Sequence, residues 1–159
     1  MVEVRRAVVD DAWELVRLRG VMLAAVTGVA PAPGPWREVA AGSLRTRLAD
    51  PDGMLTAFVI DKPDRPGELA ACAVGAIDCR LGGPDNPSGD VGCVFNVATD
   101  PGYRRRGYSR ACVEALLRWY RGRGVAWVDL RASPEGEPLY RALGFVPLSS
   151  PAMRLTMPP

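Results

Sequence analysis

The chain has 159 residues, room for one domain and little for a second, so the whole of residues 1–159 is read as a single domain. Apolar residues make up 48%, charged residues 24%, and the formal charge is only +2, which argues against a disordered chain and a dedicated nucleic-acid binder. No apolar run approaches the ~18 residues of a membrane span and no signal-peptide pattern opens the chain, so no membrane partner is expected.

Val2, Val4 and Val8 predict a short opening strand. Asp10 or Asp11 then caps a helix whose apolar face is Ala12, Leu15, Val16, Leu18 and Met22. The breaker-rich stretch Gly28 to Pro35 predicts a loop, and a second helix follows from Trp36 to Leu48 with Pro35 near its first turn. Strands are predicted over Met54–Asp61, Leu69–Arg80 and Val91–Thr99. Asp100-Pro101-Gly102 breaks the last of these, and a helix runs from about Arg106 to Arg121, with Cys112, Ala115, Leu116 and Trp119 on one face. Ala126–Arg131 reads as a strand, Glu135–Leu143 as a helix, and Phe145–Leu148 and Met153–Met157 as two short final strands. The order β-α-α-β-β-β-α-β-α-β-β predicts a single α/β (α+β) domain, with a mixed sheet of six to seven strands and about four helices.

Four cysteines, Cys72, Cys79, Cys93 and Cys112, form no CxxC pair, and the chain has no histidine. That pattern predicts buried thiols in a reduced, cytoplasmic protein without a metal site, and it removes His-dependent nucleophilic catalysis. Lys62 is the only lysine beside nineteen arginines, so an arginine run alone says little. The segment VATDPGYRRRGYSR, Val97 to Arg110, says more. A strand end, a glycine-containing loop and a helix start converge there, aiming backbone N–H groups and a helix dipole at one spot, the arrangement that receives a phosphate. Gly107 permits close backbone approach, Ser109 is small, and Arg104, Arg105, Arg106 and Arg110 add positive charge. Neither GxxxxGK[ST] nor GxGxxG is present.

Arg104-x-x-Gly107-x-Ser109 resembles the [QR]-x-x-G-x-[GA] pyrophosphate loop of the GCN5-related N-acetyltransferase superfamily. FNVATDPGYRRRGYSR is similar to the matching segment of its ribosomal-protein alanine N-acetyltransferases. WVDLRASPEGEPLYRALGF resembles the next strand and helix of the family, and VEVRRAVVDDAWELVRLR its usual start. The clear likeness covers about Val91 to Val146. It implies acetyl-CoA as co-substrate and an amine acceptor, a small molecule or a protein N-terminus. Dimers are common in the superfamily, so a homodimer is among its implications. Val97, Ala98 and Thr99 would line the acetyl and pantetheine arm. Arg105, Arg106, Gly107, Tyr108, Ser109 and Arg110 would wrap the pyrophosphate, with Arg104 opening the loop. Tyr140 falls at the position of the family's general acid, and Asp129 where the similar ribosomal-protein alanine N-acetyltransferases carry a glutamate proposed as base.

Three departures stand out. Ser109 replaces Gly or Ala, Asp129 is one methylene shorter than glutamate, and Pro134 replaces an asparagine, with the loop before Tyr140 one residue shorter. Asp129 alternates with Val128 and Leu130, so a polar face residue or an ion-pair partner is the competing reading. For Tyr140 it is a core aromatic, and for Trp36 a packing residue rather than the wall of an acceptor pocket. For the chain as a whole it is a non-catalytic acyl-CoA-binding sensor or interaction domain.

Overall fold

A computed structural model describes residues 2–159. Five strands form one sheet in the order β1 (Arg5–Arg6), β2 (Leu55–Asp61), β3 (Leu69–Cys79), β4 (Asp90–Thr99) and β5 (Trp127–Leu130). The first three pairings are antiparallel and β4–β5 is parallel. Helices α1 (Ala12–Thr27) and α2 (Trp36–Leu48) cover one face, and α3 (Tyr108–Gly122) packs on β2, β3 and β4 from the other. The short α4 (Glu137–Ala142) joins the α3 side through Tyr140.

The central strand explains the layering. In β3, Leu69 to Val74 are buried without exception, as a strand covered on both faces must be. Leu69, Cys72 and Val74 belong to the core under α1, and Ala71, Ala73 and Ile77 to the core under α3. The small alanines let both helical layers approach closely. Gly75 and Gly92 extend this on the α3 side: a Cβ on Gly92 would lie 2.8 Å from the Tyr120 ring, and one on Gly75 would meet the Tyr120 hydroxyl. The buried Tyr120 hydroxyl sits over the β3–β4 seam, at 2.8 Å from the Cys93 carbonyl and 3.1 Å from that of Ala76.

The expected six to seven strands become five. Phe145–Leu148 and Met153–Met157 carry the alternation of strands but form none, and Val146, Leu148, Met153, Leu155 and Met157 are all exposed. Alternation stabilises a strand only when one face packs, and Pro147, Pro151 and Pro158 remove ladder donors from the same stretch. The opening strand likewise shrinks to Arg5–Arg6. Helix α3 begins at Tyr108 rather than Arg106 because Arg105 (φ 65°) and Gly107 (φ 76°) are left-handed, a conformation that no α-helix contains.

Candidate acyl-donor site between strands β4 and β5

Strand β4 has two halves with different neighbours. Its first half pairs with β5 from Val91↔Trp127 to Val94↔Leu130, where β5 ends. On the β3 side the register shifts between Val74↔Asn96 and Gly75↔Val94, which leaves Phe95 as an extra, bulged residue with an exposed ring. Beyond the bulge no strand among the described residues pairs with β4 on its β5 side.

The ladder decides which peptide groups face that gap. The Asp100 N–H donates to the Ala70 carbonyl at 2.8 Å. With the β3–β4 register, this makes Ala98–Cys72 and Asn96–Val74 hydrogen-bonded pairs. The N–H and C=O groups of Val97 and Thr99 therefore turn the other way, into the open edge. Of the three strand residues expected there, Val97 and Thr99 present backbone groups. Ala98 spends its own on β3 and buries its methyl under α1.

The loop that follows is anchored at Asp100. Its carboxylate accepts from the Gly102 N–H (3.3 Å), pairs with Arg17 (2.7 Å) and lies 3.2 Å from the Lys62 ammonium. Lys62, the lone lysine, is buried and also pairs with Glu68 at 2.6 Å. Burial pushes the Asp100 carboxyl up, but the Arg17 and Lys62 hydrogen bonds outweigh it and hold the group below the usual carboxylate range. The stability it contributes is present above the ordinary carboxylate pKa and is lost as pH falls through the lower folded value. Resistance of the native protein to urea unfolding should therefore weaken on acidification below about pH 4, and Asp100→Asn should make that weakening shallower. Identical pH slopes would remove Asp100 from the account.

From Arg104 to Arg110 the backbone is open. Arg104 and Arg105 sit in a turn, but among the described residues no backbone N–H of this stretch makes a short, straight hydrogen bond to a protein acceptor, and the first such bond of the new helix is Ala111 N–H to the Gly107 carbonyl at 3.1 Å. Left-handed Arg105 and Gly107 bend this backbone into a concave strip of donors ahead of α3, a shape that binds anions. Space beside Gly107 is free, since a Cβ there would meet no atom within 4 Å. The arginine side chains are partly committed elsewhere. Arg104 Nε reaches the Thr99 carbonyl (3.4 Å), Arg106 lies over the Tyr103 ring (5.0 Å), and Arg110 pairs with Glu114 (2.9 Å). The Thr99 and Ser109 hydroxyls share a 2.6 Å hydrogen bond, which ties the strand end to the helix start and gives the unusual Ser109 a structural task.

Tyr140 and Asp129 lie on opposite faces of the sheet. Tyr140, on α4, is half-buried against the α3-side core and meets Phe145 edge to face at 5.9 Å. Its hydroxyl has no protein partner among the described residues, and burial raises its pKa above the ordinary phenol value. Asp129 sits opposite Cys93, between Val128 and Leu130, which both point to the α3 side. It therefore faces the α1 side, 3.8 Å from Arg80, which also approaches Asp78 at 3.4 Å. Cys93 donates to Asp78 (3.2 Å), and burial and that carboxylate push its thiol up to about 11. Burial pushes Cys72 to about 12 and Cys112 higher still. None of these three is an activated thiolate.

Trp36 packs on Ala12, Val16 and Ala41 while its indole N–H donates to the Ala32 carbonyl (3.0 Å), so it fastens the α1–α2 loop from beneath. Sequence reading passed over Arg17, Lys62 and Asp100 as supports of the loop. Only Asp100-Pro101-Gly102 gave a local signal, since an Asp before Pro-x is also a capping pattern.

The chain resembles known proteins in sequence and in fold. A curated relative, the ribosomal protein bS18-alanine N-acetyltransferase of Escherichia coli (strain K12), is 44% identical over 59 residues. That match covers 35% of this chain and 40% of the relative, so the likeness spans about two fifths of the relative's length. A predicted acetyltransferase from Clostridium acetobutylicum, solved with acetyl-CoA, superimposes with a TM-score of 0.82 at 22% identity, covering 98% of this chain and 96% of the other. A GCN5-related N-acetyltransferase from Ralstonia eutropha JMP134 gives 0.81 at 24% identity, covering 98% and 99%. Both structures share the fold. The profile described as the Acetyltransferase (GNAT) family matches residues 26–145, three quarters of the sequence, so the chain belongs to the GNAT acetyltransferase family.

Proposed function

We propose that the protein is an N-acetyltransferase that moves an acetyl group from acetyl-CoA to a primary amine by direct attack, without an acyl-enzyme. The observation that carries this reading is the open half of β4 running into a strip of free N–H groups at the start of α3. Val97 and Thr99 supply backbone groups of the kind that pair with an extended amide-bearing arm, and residues 104–110 supply donors for a pyrophosphate. The free space at Gly107 and the unpaired donors both fit acetyl-CoA. That substrate supplies an activated acyl thioester.

The chain's own groups then divide the work. An N–H of Val97 or Thr99 stabilises negative charge on the carbonyl oxygen. Tyr140, whose phenol pKa burial raises above its ordinary value, acts as the general acid toward the departing thiolate. Asp129, on the other side of the sheet and 3.8 Å from Arg80, receives the amine's proton through a water. The raised thiol pKa values of Cys72, Cys93 and Cys112 support direct attack over a thioester to the enzyme.

Deprotonation of the amine favours an α-amine. A peptide N-terminal α-amine with pKa ~7.7–8.0 costs about 1 kcal/mol to deprotonate at pH 7, against roughly 4.6 kcal/mol for a lysine amine near ~10.4; the more basic α-amine of a free amino acid lies between the two. The ribosomal-protein alanine N-acetyltransferases bear on this point, because their name places the acetyl group on an alanine. The test is release of free CoA from acetyl-CoA on adding amines, with mass detection of the acetylated product. Turnover with an α-amine is expected. Saturable acetyl-CoA binding with no turnover over a broad amine panel would favour the non-catalytic sensor instead.

A further inference from the structure

Along the outer flank of α1 runs a groove of about 570 Å³, a volume typical of small-molecule sites. Trp13, Gly20, Val21 and Ala24 form its α1 wall, and Ala30 and Pro31 close it from the α1–α2 loop. Its far end is made by Pro101 and Arg104, the residues that follow the open edge of β4. Arg104 Nε contacts the Thr99 carbonyl, so this end of the groove adjoins the last residue of β4.

The charges around this apolar trough all have one sign. Arg17, Arg37 and Arg104 line it, and no carboxylate does. Arg17 is neutralised by Glu14 at 2.8 Å and Asp100 at 2.7 Å. Arg37 has no acidic partner among the described residues and lies against the Trp36 ring at 5.5 Å. Arg104 has none either, its one polar contact being the Thr99 carbonyl. A polyamine or another polycation would bring its charges against two unneutralised guanidiniums. A carboxylate would gain charge-assisted, forked hydrogen bonds from the same groups, and an apolar side chain would cover the apolar wall.

We infer that the acceptor is an apolar α-amino acid, its carboxylate held by Arg37 with Arg104 and its side chain laid along α1. The inference rests on the acetyl-transfer reading and narrows it to one class of amine. The transfer balances simply: the α-amine forms the N–acetyl bond, the C–S bond breaks, and the amine's proton ends on the CoA thiol.

The experiment compares L-leucine and L-phenylalanine with leucinamide, phenylalaninamide and spermidine in the CoA-release assay. The amides carry the less basic amines, so any bias from amine ionisation works against the expected result. The carboxylates are expected to be favoured in kcat/KM by about tenfold or more. Arg37→Gln is expected to raise the KM of the amino acid and erase that preference while the Kd for acetyl-CoA stays the same. Equal or better turnover of the amides or spermidine would overturn the inference and leave acetyl transfer standing. An unchanged preference in Arg37→Gln would overturn it as well. Failure of every amine to release CoA would overturn the acetyl-transfer reading, and the inference with it.

Discussion

Replacing Tyr140 with phenylalanine is expected to lower kcat on the order of 100- to 10,000-fold, the usual worth of a positioned general acid, with acetyl-CoA affinity and folding stability preserved. The split follows from what the side chain does. The ring packs on the α3-side core and against Phe145, and phenylalanine keeps those contacts. The hydroxyl bonds to no protein group among the described residues, so its removal orphans nothing. The energetics of the transfer also set its pH signature. Moving a proton from a phenol near ~10 to a thiolate near ~8.5 is uphill by about 2 kcal/mol, and burial raises that cost by raising the phenol further. The cost falls on a hydrogen bond that strengthens as the sulfur gains charge, and deprotonation of Tyr140 abolishes it. The native enzyme should therefore lose kcat only above about pH 10, and the variant should lack that alkaline limb. An unchanged kcat would make Tyr140 a packing residue alone.

Gly75→Ala is expected to cost about 3 kcal/mol or more of stability. The new methyl would overlap the Tyr120 hydroxyl and lie 2.9 Å from Leu116 Cδ2 and 3.1 Å from the Cys93 carbonyl. Overpacking of this kind costs roughly 1–3 kcal/mol. Displacing the hydroxyl from the Cys93 and Ala76 carbonyls adds about 1 kcal/mol or more. Because the clash begins at the oxygen, Tyr120→Phe in the same chain should recover part of the loss, though Tyr120→Phe alone destabilises. Urea unfolding of the three variants checks the sign of that coupling. Strict additivity would show that the seam between Gly75 and Tyr120 is not the point of strain. Gly75 borders the bulge at Phe95, so the double variant should also turn over more slowly than the native protein.

Features written locally were legible in the sequence. The breaker Asp100-Pro101-Gly102, the flexible Gly107 and the apolar face of α3 each act within a few residues, and each stands where the pattern placed it. The open loop follows from a strand, a glycine and a helix start in succession, so it could be read without any long-range contact. What the sequence hid depends on residues far apart in the chain. Lys62 and Arg17 meet Asp100 only after β2, β3 and α1 are assembled. The bulge at Phe95 is a register shift against β3, which no property of Phe95 announces. The seam held by Tyr120 needs Gly75 and Gly92 on two different strands. The two final strands failed for the opposite reason: their local alternation is clear, but nothing packs on it. The groove along α1 was invisible because Trp13, Gly20 and Arg37 read as ordinary helix residues until the α1–α2 loop folds over them.

The central claim is that the strip from Arg104 to Arg110 holds the pyrophosphate of acetyl-CoA through its backbone. A calorimetric titration of acetyl-CoA into the native protein and Gly107→Val tests it directly. Gly107 has φ 76° and an added Cβ would meet no atom within 4 Å, so a valine's main penalty is the left-handed conformation, about 1–2 kcal/mol. The account predicts saturable one-to-one binding by the native protein. It also predicts at least about tenfold weaker binding by Gly107→Val, with circular dichroism unchanged. Equal affinity of the two proteins, or no binding by the native one, would contradict it.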